Sequence, residues 1–283
     1  MSEPPPLGAD PGLGHGAPQG VRAFVRWHED TSHPAEAMLA EEVPVAFVYS
    51  GHPHAVMMCT PADLEDLAVG FTLSEGIVEG TAEIGDVAVT RHSRGVEVRI
   101  EVPGSARERL AARTRSISAR TGCGLCGIEA IDEAVRTPRR VTADLRLSTD
   151  ALWCAGSALS DRQPLNATTN AVHAAAWARA DGSLHVVRED VGRHNALDKV
   201  LGALWREGTD ASEGFLVLTS RLSYELVQKA ASAGVAVVAA ISRPTGLAVR
   251  LADGAGITVV GLLRGESANV YTHSHRITRT GAP

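Results

Sequence analysis

From Glu42 the chain runs Val-Pro-Val-Ala-Phe-Val-Tyr, turns at Ser50-Gly51-His52-Pro53 and resumes with Ala55-Val56-Met57-Met58, which predicts a β-hairpin. A helix is expected directly after it. Thr60 is placed to cap it, Pro61 suits a first turn, and Asp63 completes a capping box; Leu64, Leu67, Ala68 and Phe71 then recur at helical spacing before Gly76 stops the run. A second hairpin is expected over residues 86–102, around Ser93-Arg94-Gly95. There Val96, Val98, Ile100 and Val102 alternate with Glu97, Arg99 and Glu101, so that one face is buried and one is wet. Residues 107–120 are arginine-rich, read as helical, and lead into a loop that carries two cysteines.

The pattern changes in the second half. Strands are expected over 184–187, 215–219, 235–241 and 257–261, alternating with helices over 191–205, 222–233 and 247–251. Short apolar β runs between helices predict a parallel sheet covered on both faces. In such sheets ligands bind beyond the carboxyl ends of the strands. That rule selects three loops: Thr219-Ser220-Arg221, Ser242-Arg243-Pro244-Thr245, and residues 262–267. The fold class expected is α/β, with three segments. Residues 1–20, rich in Pro and Gly, form a disordered tail; 21–140 form an N-terminal α+β subdomain built on hairpins and ending in the cysteine loop; 141–283 form a C-terminal α/β/α domain. The boundary falls between Thr137 and Thr149.

Composition narrows the function classes. The 283 residues are 44% hydrophobic and 21% charged, ordinary values for a folded chain. With 33 acidic against 27 basic residues the net charge is -6, which offers no electrostatic basis for tracking a nucleic-acid backbone. Lys199 and Lys229 are the only lysines. The longest apolar run, residues 235–241, falls far short of the ~20 residues that span a bilayer, so no membrane segment is expected. The start lacks the basic and apolar regions of a signal peptide, and a cytoplasmic location is expected.

Four cysteines, Cys59, Cys123, Cys126 and Cys154, are too few for a disulfide scaffold. Cys123 and Cys126 lie in Thr121-Gly122-Cys123-Gly124-Leu125-Cys126-Gly127, where the glycines allow changes of shape and close approach to a ligand. Several readings of this loop stand side by side. A structural zinc site needs two further ligands, drawn from Cys59, Cys154 or the 11 histidines. A thioredoxin-like pair should follow a strand and open a helix. A persulfide carrier needs a thiolate favoured by nearby positive charge, here Arg113, Arg115 and Arg120, and a second thiol able to release the sulfur by forming a disulfide. Incidental thiols in a glycine-rich turn are the plainest alternative.

Other constellations have a plain reading, capped helices with a surface ion pair and a packed histidine, beside a reading as an anion site. In the run from Arg188 to Lys199, Asp190 is placed as a helix N-cap, His194 and Asp198 share a face at i, i+4, and Gly192 with Arg193 at a helix start suits an anion. His173 precedes Ala174-Ala175-Ala176-Trp177, small residues suited to close helix packing; the His-x-Glu and Pro-Cys-x-x-Cys signature of zinc deaminases is missing. Arg221, Ser223, Tyr224 and Glu225 open one helix, and Ser242-Arg243-Pro244-Thr245 opens the next. Hydroxyls, arginines and free amides at adjacent helix starts make a pocket for phosphate or pyrophosphate, hence for a nucleotide-like ligand.

Together these residues resemble the formate dehydrogenase accessory sulfurtransferase family, FdhD. The resemblance is carried by Glu42-Val43-Pro44-Val45, Ala68-Val69-Gly70-Phe71 with Ser74-Glu75-Gly76-Ile77, residues 121–127, and His173-Ala174-Ala175-Ala176. It continues through residues 189–199 and 220–229 to Asn269-Val270-Tyr271-Thr272-His273. It implies a cytoplasmic homodimer that accepts sulfur from a cysteine desulfurase. The sulfur passes to the Mo-bis-molybdopterin guanine dinucleotide cofactor, destined for the formate dehydrogenase catalytic subunit. It implies Cys123 as persulfide carrier with Cys126 as companion, and a C-terminal layer like that of cytidine deaminases without their zinc or any metal of its own. Cofactor binding falls on Leu262, Leu263, Arg264, Gly265, Glu266 and Ser267. Two places depart from the family pattern: Asn170-Ala171 stands where a glycine pair is common, and Ser267, beside Glu266, replaces a basic residue. A non-catalytic chaperone for the molybdenum cofactor is the alternative function.

Overall fold

A computed structural model describes residues 17–110 and 137–279. The cysteine loop with Cys123 and Cys126, most of the expected arginine-rich helix, and the tail through residue 16 lie outside the described residues.

The chain opens with a two-stranded antiparallel ribbon, β1 (Gln19–His28) and β2 (Thr31–Ala40). Gln19 and Gly20, expected in the tail, belong to β1. The hairpins expected next are present as β3 (Val43–Tyr49) with β4 (His52–Cys59) and β5 (Val87–His92) with β6 (Gly95–Ile100). They join into one sheet of order β4-β3-β6-β5, because β3 pairs β6 in parallel. Ser50 and Gly51 close the first hairpin with positive φ values of 45° and 82°, as a two-residue turn matched to strand twist requires. Val45, Phe47, Tyr49, Val96, Val98 and Ile100 bury one face of this sheet against Leu64, Leu67 and Ala68 of α1 (Leu64–Ser74).

The capping box expected at the start of α1 does not form. Its N-cap is Asp63, which makes no side-chain cap hydrogen bond. Thr60 is engaged elsewhere: its N–H donates to Asp190 Oδ2 at 3.0 Å and its Oγ1 accepts from Val191 N at 3.1 Å.

After β7 (Leu147–Ser148), α2 (Thr149–Asp161) and α3 (Pro164–Thr169), a six-stranded sheet is built from β8 (His173–Arg179), β9 (Leu184–Asp190), β10 (Gly214–Leu218), β11 (Val237–Ala240), β12 (Thr258–Arg264) and β13 (Ser267–Val270). Its order is β13-β12-β11-β10-β8-β9. The four expected strands, β9, β10, β11 and β12, do run in one direction, but the expected parallel sheet is corrected to a mixed one: β8 lies between β9 and β10 and pairs antiparallel with both, and β13 pairs antiparallel with β12. Short turns join β8 to β9 and β12 to β13, and a short turn reverses the chain, whereas parallel pairing needs a crossover. His173-Ala174-Ala175-Ala176 lies in strand β8, whose buried alanines share a core cluster with Ala196, Leu197 and Val200 of the helix over 193–207, the close helix packing expected of small residues.

Helices α4 (Arg193–Glu207), α5 (Tyr224–Ser232) and α6 (Gly246–Ala255) form one layer on this sheet and α2 lies against its other face, giving three layers. β14 (Ile277–Thr278) pairs with β7.

Buried apolar side chains fall into two clusters, one on each large sheet. Where α1 crosses α4 the backbones touch: a Cβ on Gly70 would collide with the Asp198 carbonyl, and one on Gly202 with the Asp66 carbonyl. Asp66, itself buried, is held by Arg188 of β9 at 2.8 Å and by Arg206 of α4. The junction is thus close-packed backbone ringed by charge-assisted hydrogen bonds.

Candidate functional site

Topology gathers the functional candidates on one edge of the six-stranded sheet. β10, β11 and β12 end there, and antiparallel β8 and β9 place His173 beside Asp190 on the same edge. α4, α5 and α6 all begin there. Each brings its first-turn N–H end and positive dipole end to this edge, the arrangement that favours an anion.

Backbone contacts sew the strand-end loops together. Thr219 exchanges hydrogen bonds with Ala174: Thr219 N to Ala174 O at 3.0 Å and Ala174 N to Thr219 Oγ1 at 2.9 Å. Leu222 bridges to Pro244, and Thr245 N donates to Leu222 O at 2.9 Å. Thr245 Oγ1 caps α6 by accepting from Ala248 N at 3.2 Å. Leu262 N donates to Ser242 O at 3.1 Å.

The last strand runs three residues further than expected. Leu262, Leu263 and Arg264 belong to β12 and Ser267 opens β13, so the expected loop is a hairpin with Gly265 and Glu266 as its turn. Leu263 is buried, whereas Arg264, Gly265, Glu266 and Ser267 are exposed at the tip, with Arg221 and Arg243 exposed on neighbouring loops. Asn170 occupies the left-handed region at φ 50° where it ends α3, a conformation Asn tolerates. This accommodates one of the two departures from the family pattern.

The start of α4 differs from expectation in two ways. Asp190 is not its N-cap; that residue is Gly192. The Asp190 carboxylate, fully buried, pairs with Lys199 at 2.6 Å and accepts from Gly192 N and Asn195 Nδ2 at 2.8 and 3.0 Å. His194 does not pair with Asp198. Its Nε2 lies 2.6 Å from Glu225 Oε2 of α5, while Asp198 accepts from Ser74 at 2.7 Å and pairs with Lys229 at 3.0 Å. Asp198 is buried with Lys229, where their contact is stronger than an i, i+4 pair that solvent would screen, whereas His194 and Glu225 stay partly exposed. Lys229 also reaches Glu75 at 2.9 Å. Asp198 and Glu75 hold its pKa above the ordinary lysine value although burial opposes them. Glu75, Lys229, Tyr224 and Glu225 line a cleft of about 330 Å³ whose far wall is Thr137, Pro138 and Arg139, where the chain returns from the cysteine loop.

Among the described residues no group of three or more His, Cys, Asp or Glu is arranged to hold a metal. Cys59 is buried in the N-terminal core, and burial pushes its thiol pKa far up; Cys154 is exposed on α2. No helix among the described residues is long and apolar enough to cross a membrane.

His173 and His194 both titrate below the ordinary imidazole value of 6.5. Burial is the main cause in each. Arg193 adds to it for both and Lys229 for His194, against Glu225 beside His194 and Asp190 beside His173. The unfolded chain therefore binds these protons first, so stability is complete above about pH 6.5 and falls as the pH drops through the imidazole range. Melting temperatures measured from pH 8 to pH 5.5 are expected to decline below pH 6.5, and His194→Gln is expected to flatten that decline.

The fold defines a mixed α/β protein in which strand ends and helix starts converge on one edge of the large sheet. The family model described as the FdhD/NarQ family matches residues 40–278, and the chain belongs to that family. It is 49% identical over 257 residues to the "Sulfur carrier protein FdhD" of Xanthomonas euvesicatoria pv. vesicatoria, covering 91% of this chain and 92% of that one. It is 49% identical over 255 residues to the protein of the same name from Cupriavidus necator, covering 90% and 88%. The fold matches the crystal structure of a protein from Desulfotalea psychrophila proposed as a formate dehydrogenase accessory protein, with a TM-score of 0.74, 24% identity, and 93% and 100% of the two chains covered.

Proposed function

We propose that this chain is a sulfur carrier in formate dehydrogenase maturation. Cys123 accepts sulfur from a cysteine desulfurase, and the sulfur is delivered to the Mo-bis-molybdopterin guanine dinucleotide cofactor. The observation that carries this reading is the 49% identity, over nine-tenths of the chain, to proteins named as sulfur carriers. The family match from 40 to 278 spans the loop with Cys123 and Cys126.

In the loading step the Cys123 thiolate attacks the outer sulfur of the donor's persulfide. A new S–S bond forms, the donor's S–S bond breaks, and the donor cysteine leaves as a thiolate with the electron pair. Cys126 can then attack the inner sulfur of the Cys123 persulfide, expelling hydrosulfide and leaving a disulfide. The cofactor is substrate here, and the anion-favouring edge supports holding it, with Leu262, Leu263, Arg264, Gly265, Glu266 and Ser267 at its guanine dinucleotide. Arg243 and Arg221 are placed to compensate for the missing basic residue at Ser267.

A homodimer working in the cytoplasm, delivering to the formate dehydrogenase catalytic subunit, completes the proposal. The likeness of the C-terminal layer to cytidine deaminases belongs to it too, supported by three parallel strands between helical layers.

The test is mass spectrometry under non-reducing conditions after incubation with cysteine and a cysteine desulfurase. A gain of one sulfur on the Cys123 peptide, absent from Cys123→Ala, is expected. No gain with an active donor would overturn the carrier reading in favour of a cofactor chaperone.

A further inference from the structure

Six non-glycine residues among those described have positive φ, and five of them, Glu29, Ser50, Asp63, Asn170 and His273, are polar residues at turns or helix ends. The sixth is Leu262, at φ 55° inside strand β12. A bulky apolar side chain pays a steric penalty in this conformation and gains no local hydrogen bond from it. Such a cost persists only where the surroundings impose it.

The surroundings are visible. Between the pairs Gly261↔Asn269 and Arg264↔Ser267, β12 spends three residue steps against two in β13, so one residue is extra: a β-bulge. Leu262 N–H donates to Ser242 O at 3.1 Å, beyond the end of β11. At Gly261 a Cβ would stand 2.8 Å from Pro244 Cδ and 3.3 Å from Ser242 O. Pro244 in turn bridges to Leu222 of the first strand-end loop. Past the bulge, Leu263 turns inward against Gly156, leaving Arg264 exposed at the tip.

We infer that the Gly261–Leu262 bulge is a positioning element: the left-handed backbone at Leu262 locks the β12–β13 hairpin onto the Ser242–Pro244 loop and so sets where Arg264 stands. This rests on reading the hairpin as the subsite for the cofactor's guanine dinucleotide. The role belongs to the backbone, which predicts an unusual ranking of substitutions. Valine keeps an apolar side chain but resists positive φ; asparagine loses the apolar contact but accepts it.

The experiment measures guanosine diphosphate binding to the full chain by calorimetry, alongside melting temperature. Leu262→Val is expected to weaken binding about tenfold or more, and Leu262→Asn by clearly less than valine does. Gly261→Ala should behave like the valine variant, and if it fails to fold the Leu262 pair decides alone. Valine binding as tightly as the parent chain, or asparagine doing worse than valine, overturns the proposal, because packing would then matter and backbone would not. Failure of the underlying reading has a different signature: the unaltered chain itself does not bind the nucleotide, and the positioning role falls with it.

Discussion

Gly202→Ala is expected to destabilise the protein by about 3 kcal/mol or more, and Gly70→Ala by a similar amount, because each forces a methyl group into main chain that cannot rotate away. The new Cβ at Gly202 would collide with the Asp66 carbonyl oxygen and lie 2.8 Å from Gly70 N; at Gly70 it would meet the Asp198 carbonyl and lie 3.0 Å from Gly202 N. Relief requires α1 and α4 to move apart. That movement would strain the Asp66 contacts with Arg188 and Arg206 and the Ser74 contact with Asp198. Gly254→Ala is the control, since it is also helical, lies within α6, and has nothing within 4 Å of a new Cβ. It should stabilise by about 0.5–1 kcal/mol through helix propensity. Chemical denaturation of the three variants checks the ranking. Equal effects for Gly202→Ala and Gly254→Ala would show that the helices are not packed backbone to backbone.

The contrast between those glycines marks where sequence reading reaches its limit. Local periodicity is enough for the two hairpins at 43–59 and 87–100, for α1, and for the strand–helix alternation after residue 184, because each depends on neighbours a few residues away. The same alternation selects the edge proposed for the ligand, since strand ends and helix starts must coincide in such a layer. The ribbon β1–β2 has only a weak local signal: Val21, Ala23, Val25 and Trp27 alternate with Arg22, Arg26 and His28, but apolar Phe24 interrupts the pattern and neither face is buried.

What no local pattern carries is competition between partners far apart in the chain. Thr60 looked like a helix cap, yet Asp190 and Val191, 130 and 131 residues away, claim its polar groups. His194 looked paired with Asp198 one turn on, yet Glu225 takes it and Lys229 takes Asp198. In the candidate site, the pattern ends the strand at Gly261 and predicts a loop over residues 262–267, whereas Leu262, Leu263 and Arg264 extend β12 and Ser267 opens β13. The bulge that aims them was hidden, because the left-handed backbone of Leu262 has no compositional signal.

Both lysines of the chain are buried in ion pairs, and the deeper one supports the second large prediction. Lys199 and Asp190 are each fully shielded from solvent. Lys199 Nζ spends its three donors on Asp190 Oδ2 at 2.6 Å, Thr60 O at 3.1 Å and Glu189 O at 3.3 Å. It therefore ties α4 to the chain entering α1 as well as to the end of β9. Lys199→Met has similar length and is apolar, so it preserves packing while leaving the buried Asp190 carboxylate without its counter-charge. The expected cost is about 3–5 kcal/mol, the range for removing one partner of a buried pair. Asp190→Asn should cost a comparable amount by stranding the ammonium. The double variant should cost clearly less than the two single costs added together, because the uncompensated charge is then gone and only hydrogen bonds remain unsatisfied. Denaturant unfolding of the four proteins gives this coupling directly. Strict additivity would mean that the two groups do not sense each other's charge and that the junction is held by its glycine crossing alone.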